Sequence, residues 1–310
     1  MLATAGAPPL GPGWTAEAKW DGARAASLVR PSGVELVSRP GNNFATRFPD
    51  VTSALQSALA GHTAILDGEI VALGNDGRPD FARLQRRLRA PRATSALRAA
   101  VPCHYFLFDC LHLDGVDLAG RPYVERRAAL ESLGLGREGL IVVVPPCWPD
   151  LDGRVLLEVV KDFALEGVVM KRANSTYQAG RRSRAWIKVV IRRKAQLAVI
   201  GWASGRTEPV GALLVGGHDP SGCLVYCGTV SSGLSRAARR ALFEPLRALE
   251  ISAPAVTGLP AGAQLCHVRW TMPHLVGAVE YREFTGHLRH AAWKGLVGGA
   301  DPAAVELPHA

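Results

Sequence analysis

The stretch from Thr15 to Ser27 reads TAEAKWDGARAAS. Glu17, Lys19 and Asp21 alternate with Ala18 and Trp20, the period of a strand with one packed face and one open face. Asp21-Gly22 then predicts a turn. The open face would carry a lysine between two carboxylates, with Arg24 just beyond the turn. Such a stretch is either a half-buried strand with a solvated face, or the seat of a lysine that acts as a nucleophile or grips a phosphate.

The surrounding chain has 310 residues, enough for two domains with real cores. It is 48% apolar and 20% charged, the balance of a globular protein. With 33 glycines and 21 prolines it favours turns and short strands over long helices. The net charge of +9 calls for an anionic partner without choosing among nucleic acid, membrane and acidic protein. No apolar run is long enough to span a bilayer, so no membrane role is expected. The start, MLATAGAPPLGPG, lacks the basic segment of a secretory signal, and cytoplasmic residence is expected. Cys103, Cys110, Cys147 and Cys266 sit singly in apolar surroundings and are expected as core thiols. Cys223 and Cys227 are close, but no second pair completes a zinc site.

Up to Val190 the chain mixes strands and helices. GVELVSRP, TAILDGEIVAL, VPCHYFLFDCLHL, GVVMKR and RAWIKVV read as strands; FPDVTSALQSAL, YVERRAALESL and LLEVVKDFAL read as helices. This is an α+β pattern, because no strand leads into a glycine-rich phosphate loop. Beyond it, AQLAVIGWAS, VGALLVGG, GCLVYCGTVSS and HLVGAVEYREFT are short strands broken by Gly, Pro and Ser, with one helix, LSRAARRALFEPLRAL. That pattern fits a small barrel of the oligonucleotide-binding (OB) type. The division is placed at residues 1–191 and 192–310, and the tail GGADPAAVELPHA is expected to be a loose end.

Charges recur inside apolar strands. Asp67 and Glu69 flank Gly68 and point to one side; Glu166 precedes GVVM, with Lys171 just after; Lys188 lies in AWIKVV; Arg39 follows a strand. An unpaired charge in such a place is costly. Each alone reads equally well as a cross-sheet ion pair, but together they describe a cleft for a nucleotide and a metal. An unprotonated lysine can attack phosphorus, and two separated carboxylates, Glu69 and Glu166, suit Mg²⁺. Phe108 can stack on a base or belong to the core.

KWDGAR at Lys19–Arg24 resembles the KxDGxR nucleotidylation motif of ATP-dependent DNA ligases and capping enzymes. It comes in order with SRPG, LDGEIV, FLFDCL, EGVVMK and WIK, a series that spans the first domain. The second domain is also similar, in VGALLVGGHDPSGCLVYCGTVSSGL and VEYREFTGHLRHAAWKGL. The nearest likeness is to small stand-alone bacterial ligases related to the ligase module of the end-joining enzyme, with no room for a polymerase or nuclease domain. The resemblance implies a nucleotidyltransferase (adenylation) domain and an OB-fold domain. It implies ATP as the AMP donor to Lys19, Mg²⁺ or Mn²⁺ as the metal, and nicked or broken duplex DNA as substrate. Glu17 and Arg24 would flank the nucleotide, Arg39 would meet the nucleotide and the nick phosphate, and Glu69 would contact ribose or metal. Phe108 would stack on adenine, Glu166 would serve the metal, and Lys171 and Lys188 would lie near the phosphates. A monomer near the nucleoid, working with bacterial DNA-repair proteins, is expected.

Two departures from the family stand out. Val190 replaces a second lysine after Lys188, with Arg192, Arg193 and Lys194 as substitutes. Val297 replaces the arginine that follows WRGL, and no RxDK motif follows. Slow reaction with free ATP is therefore expected, and a non-catalytic DNA-binding relative is a competing reading. An RNA-ligating or capping-type nucleotidyltransferase is another. From Gly167 to Thr207 there is no Asp or Glu, while Lys171, Arg172, Arg181, Arg182, Arg184, Lys188, Arg192, Arg193, Lys194 and Arg206 all fall there. This segment is expected to bind DNA phosphates without reading sequence.

Overall fold

A computed structural model describes residues 1–136, 141–205, 208–259 and 267–309. The chain divides into two compact units, Met1–Ile191 and Arg192–Ala310.

The first unit holds strands β1 (Leu2–Ala5), β2 (Trp14–Lys19), β3 (Ala23–Arg30), β4 (Gly33–Ser38), β5 (Ala64–Ala72), β6 (Cys103–Leu113), β7 (Val116–Asp117), β8 (Val142–Val143), β9 (Cys147–Pro149), β10 (Gly167–Arg172) and β11 (Arg182–Val190). Its helices are α1 (Pro49–Ala58), α2 (Phe81–Arg89), α3 (Ser95–Ala100), α4 (Tyr123–Ser132) and α5 (Gly153–Asp162). One sheet runs β1-β11-β10-β2-β9; the other runs β4-β3-β5-β6-β7, with β8 on β6.

The second sheet packs its Leu36, Leu66, Ile70 and Leu107 against Val51 and Leu55 of α1. Those helix residues are four apart, so they share one face. A smaller core joins Trp14 and Ala16 of β2, Val168 and Met170 of β10, and Leu156 and Val160 of α5. The chain passes from one sheet to the other at Asp21-Gly22, between β2 and β3. Gly22 lies so close to β5 that an added Cβ would stand 2.2 Å from the Ile70 carbonyl oxygen. Only glycine permits that approach, and it fixes Lys19 at the mouth of the cleft.

The second unit holds β12 (Arg193–Ala203), β13 (Ala212–His218), β14 (Leu224–Val230), α6 (Arg236–Ala248), β15 (Glu250–Ile251), β16 (Val268–Thr271), β17 (Val276–Tyr281), β18 (Glu283–Phe284), β19 (Leu288–Arg289) and β20 (Ala292–Leu296). β12 is its spine: β13 takes one edge, and β17 and β16 share the other in succession. β14 extends the sheet beyond β13, and β20 extends it beyond β17. Trp202, Leu213, Val215 and Trp293 fill the concave side with Leu242 and Leu246 of α6. This is a small sheet curled around one core; among the described residues no ladder closes it, although Ser232 makes an isolated bridge to Ala292.

The tail is not loose. Val305 is buried in this core, Glu306 bridges to His218, and the Val305 carbonyl accepts from the His218 backbone N–H at 2.8 Å. Apolar Val305 and Leu307 give the tail a face to bury, which its Gly and Pro content obscures. Cys103 and Cys110 are buried thiols as expected. Cys147 is only half-buried, because β9 lies at a sheet edge. Cys223 is exposed and Cys227 buried. Cys266 and Arg206 lie outside the described residues.

Candidate active site

Lys19 is the last residue of β2, and β10 begins opposite it, with Gly167 in register with Lys19. The Glu166 backbone N–H donates to the Lys19 carbonyl at 3.1 Å, so Glu166 is carried to the same place. Its Oε2 lies 2.5 Å from Lys19 Nζ. Gly167 has φ +146°, and a Cβ there would lie 2.0 Å from the Val189 oxygen. The site thus depends on a backbone conformation that only glycine adopts freely.

Around Lys19 opens a cavity of about 210 Å³ in the first unit. Glu17, Lys19, Arg24, Arg39, Glu69, Phe108, Lys171 and Lys188 all line it, drawn from six strands and the loop after β4. Glu166 does not line it directly and joins it through the Lys19 ion pair. Leu2 and Ala3 of β1, Ala18, Trp20, Val169, and Arg182 and Trp186 of β11 complete the wall.

The open strand face expected for Glu17 and Lys19 holds only for Lys19. Glu17 is 6% exposed, since α4 and β10 cover it. Its Oε1 lies 2.8 Å from Lys171 Nζ and accepts a hydrogen bond from the Tyr123 hydroxyl. Lys171 is itself 1% exposed. Its Nζ donates to the Phe108 carbonyl at 3.0 Å and lies 4.7, 4.8 and 4.5 Å from the ring centres of Phe108, Tyr123 and Trp186. A buried ammonium needs such a carboxylate and such ring faces.

Asp67 and Glu69, on one face of β5, take different roles. Asp67 receives both Arg24 Nε at 3.0 Å and Arg24 Nη2 at 2.6 Å, and the Tyr177 hydroxyl at 2.7 Å. This bidentate pair holds the Arg24 guanidinium above its usual range despite burial. Glu69 lines the cavity. Burial pushes its carboxyl up to about 8; Lys19 and Arg24 oppose the rise, and Glu166 and Asp67 add to it.

Phe108 packs edge-on against Trp186 at 6.1 Å, with the Arg24 guanidinium carbon 5.5 Å from its ring centre. Arg39 is exposed at the rim, and Lys188 projects from the strand β11 opposite Val169. Tyr123, Tyr177 and Trp186 were not among the expected site residues. Trp186 sits in the AWIKVV motif beside Lys188. Tyr123 has no such signal, since its helix period marks it only as apolar.

Arg181, Arg182 and Arg184 are exposed. Arg182 also donates to the Ala3 carbonyl. In the second unit Arg192 donates to the His290 carbonyl at 3.1 Å and Arg193 to that of His309 at 3.3 Å. Val297 packs against the apolar core there.

Two family descriptions match the chain: "ATP dependent DNA ligase domain" over residues 8–189, and "ATP dependent DNA ligase C terminal region" over residues 206–297. The chain belongs to the ATP-dependent DNA ligase family. Among its relatives, "Multifunctional non-homologous end joining protein LigD" of Mycolicibacterium smegmatis is 36% identical over 289 residues, covering 91% of this chain. The ligase chain spans only 36% of that relative's length. "DNA ligase C2" of the same organism is 35% identical over 77% of this ligase and 67% of its own length. The structure of the ligase domain from M. tuberculosis LigD superposes with a TM-score of 0.57 at 32% identity, covering 99% of this ligase and 97% of that domain. Mycobacterial DNA ligase D complexed with ATP and MES gives a TM-score of 0.56 at 33% identity, covering 98% and 96%. No helix among the described residues of the ligase is long and apolar enough to cross a membrane.

Proposed function

We propose that Lys19 is the residue that carries AMP, and that the chain seals 5′-phosphate to 3′-hydroxyl breaks in duplex DNA. The observation that carries this is the Lys19 amine at a cavity whose wall also bears Arg39, Lys188 and Glu69. Lys19 Nζ, having given up its proton, attacks the α-phosphorus of ATP; the N–P bond forms as the bond to pyrophosphate breaks. AMP then passes to the DNA 5′-phosphate, and the 3′-hydroxyl displaces it. Arg39 and Lys188 neutralise charge that develops on the phosphates, while Phe108 and Trp186 wall the base. Glu166 orients the Lys19 amine.

Glu69 and Glu166 fit a hard divalent cation. Both offer oxygen donors, and the repulsion between them that helps raise Glu69 is relieved by positive charge. Among the described residues no group of three or more His, Cys, Asp or Glu could hold a metal, so phosphate oxygens and water would complete the shell. When bound, Mg²⁺ or Mn²⁺ would supply further neutralising charge at the phosphates.

The curled sheet of the second unit is read as an OB-fold, supported, among the described residues, by its seven strands, one α-helix and the Ser232–Ala292 bridge. Exposed Arg181, Arg182 and Arg184 are read as phosphate contacts. A monomer in the bacterial cytoplasm near the nucleoid, serving end joining beside other repair proteins, is the setting that the LigD likeness favours.

The test is radiolabelled ATP followed by nicked duplexes of DNA and of RNA. Label on Lys19, found by mass spectrometry, and sealing of nicked DNA are expected. Labelled protein that seals only nicked RNA would replace the DNA reading; protein that takes up no label from ATP would leave a binding relative.

A further inference from the structure

Away from the nucleotide cavity, the first unit has another hollow of about 690 Å³. Arg92 and Arg98 line it with Thr46, Thr94 and Ser95, and none of its lining residues is Asp or Glu. It lies in the most arginine-rich part of the unit: residues 78–98 carry seven arginines and one acid, Asp80. Asp80 caps α2 and accepts from the Arg83 N–H at 2.8 Å. Asp50, at the start of α1, is held by the buried Arg87 at 2.5 Å. These two carboxylates are therefore engaged elsewhere. Arg98 makes one hydrogen bond, Nη2 to Ser95 Oγ at 3.2 Å, and its Nε is buried with no partner. Arg92 is exposed and makes no ion pair or side-chain hydrogen bond among the described residues. A solvated arginine face needs no concave wall, and buried guanidinium donors without acceptors are costly; both features point to an anionic occupant.

One loop joins this hollow to the nucleotide cavity. Arg39, just after β4, lines the nucleotide cavity, while Ala45 and Thr46 line the hollow. The far end of the loop is stitched down. Thr46 Oγ1 donates to the Pro91 carbonyl at 3.0 Å, the Ala93 N–H donates to the Thr46 carbonyl at 3.0 Å, and Arg47 Nε donates to the Ala90 carbonyl at 3.2 Å. Arg87, 0% exposed, holds the Arg47 carbonyl with Nε at 2.9 Å and Nη2 at 2.7 Å. Thr46 is seven positions on from Arg39, so their Cα atoms lie within about 25 Å. That distance is about seven base-pair steps at a rise of about 3.4 Å.

We propose that the hollow is a phosphate site for one duplex arm of the substrate, in which Arg92 and Arg98 hold backbone phosphates within about seven base pairs of the group that Arg39 meets. This rests on the reading of the substrate as broken duplex DNA. Guanidinium forks match phosphate oxygens, and such contacts fix where a duplex lies without reading its bases. A free phosphate would satisfy the same donors. It would not account for the loop that ties the hollow to Arg39, nor for exposed Arg86 and Arg89, which carry the positive charge on along α2.

The experiment uses Arg92→Gln/Arg98→Gln in the whole chain and measures adenylation and sealing separately. Adenylation from ATP should be unchanged, which also shows that the variant folds. KM for a nicked duplex with arms of about 20 base pairs should rise on the order of tenfold at unchanged kcat, and the slope of log affinity against log salt should flatten by up to about two. An arm closed by a hairpin after about four base pairs is too short to reach the hollow. The difference between wild type and variant should vanish when one particular arm is shortened and persist when the other is. Arg92→Gln alone, at an exposed position, is the second variant and should flatten the slope by about one. An unchanged KM overturns the inference. So does a rise in KM that persists whichever arm is shortened, because a structural defect does not depend on arm length. Loss of inorganic pyrophosphate binding with an unchanged KM for the nick would assign the hollow to a free anion and also overturns it, while the sealing reading survives. A wild-type chain that forms the AMP adduct but binds no duplex overturns both.

Discussion

Lys19 Nζ and Glu166 Oε2 lie 2.5 Å apart across 147 positions of sequence. The contact joins the end of one strand to the residue before its neighbour, so the backbone ladder brings the two side chains to the same place. A nucleophilic amine must be oriented before it attacks. Lys19→Ala should abolish the AMP adduct and ATP-dependent sealing. Glu166→Gln should slow adduct formation by on the order of a hundredfold while the protein still folds. Intact-protein mass spectrometry and circular dichroism on the same samples check both; an undiminished adduct in Lys19→Ala would move the nucleophile elsewhere.

Glu69 and Glu166 should act together toward divalent cations. If they share a metal, Glu69→Gln and Glu166→Gln should each raise the Mg²⁺ concentration needed for half-maximal adenylation by on the order of tenfold. The double variant should then be far from additive, since the two carboxylates would serve one ion. Mg²⁺ and Mn²⁺ titrations measure this. Additive, small effects would separate the two acids.

The Arg24–Asp67 pair is largely buried and bidentate, with Tyr177 on the same carboxylate. Asp67→Ala leaves the guanidinium without its carboxylate and should cost about 3–5 kcal/mol of stability. Urea unfolding of the whole chain gives the number. Asp67→Asn keeps one acceptor and should fall between. A loss below about 1 kcal/mol for Asp67→Ala would mean that Arg24 finds another partner.

Neutralising Arg181, Arg182 and Arg184 together should weaken DNA binding equally across unrelated duplex sequences. The slope of log affinity against log salt should flatten by up to about three, near one for each arginine–phosphate pair removed. A salt series by fluorescence anisotropy reads both. An unchanged slope would place the DNA path on other cations.

Val297 packs, partly buried, against the core of the second unit and, like Val190, has no charge to lend. Pyrophosphate must be neutralised only in the first step. Enzyme adenylation from ATP should therefore run slower than sealing of a preadenylated nick by unadenylated protein. Single-turnover rates for the two half-reactions decide it; a first step as fast as the second would show that Arg192, Arg193, Lys194 or another cation fills the gap.

Local chemistry made much of this protein legible in its sequence. Alternation and turn residues located the strands β2, β4, β5, β6, β10 and β11, because side-chain direction along a strand follows from backbone geometry alone. The ordered motifs identified the ligase family and gathered the cavity residues Lys19, Arg39, Glu69 and Lys188. What the sequence left open was pairing. Glu17 could have faced solvent with Lys19; the strand β10 and the helix α4 cover it and give it Lys171 and Tyr123. Asp67 and Glu69 share a face in any strand, yet one meets Arg24 and the other the cavity. Tyr123 reads as one more apolar residue of an amphipathic helix until its hydroxyl is seen against a carboxylate 106 residues away. The tail reads as loose until Val305 finds a core. Partnership and burial depend on the register between elements distant in the chain, and desolvation on everything packed around a group, so only the tertiary structure decides them.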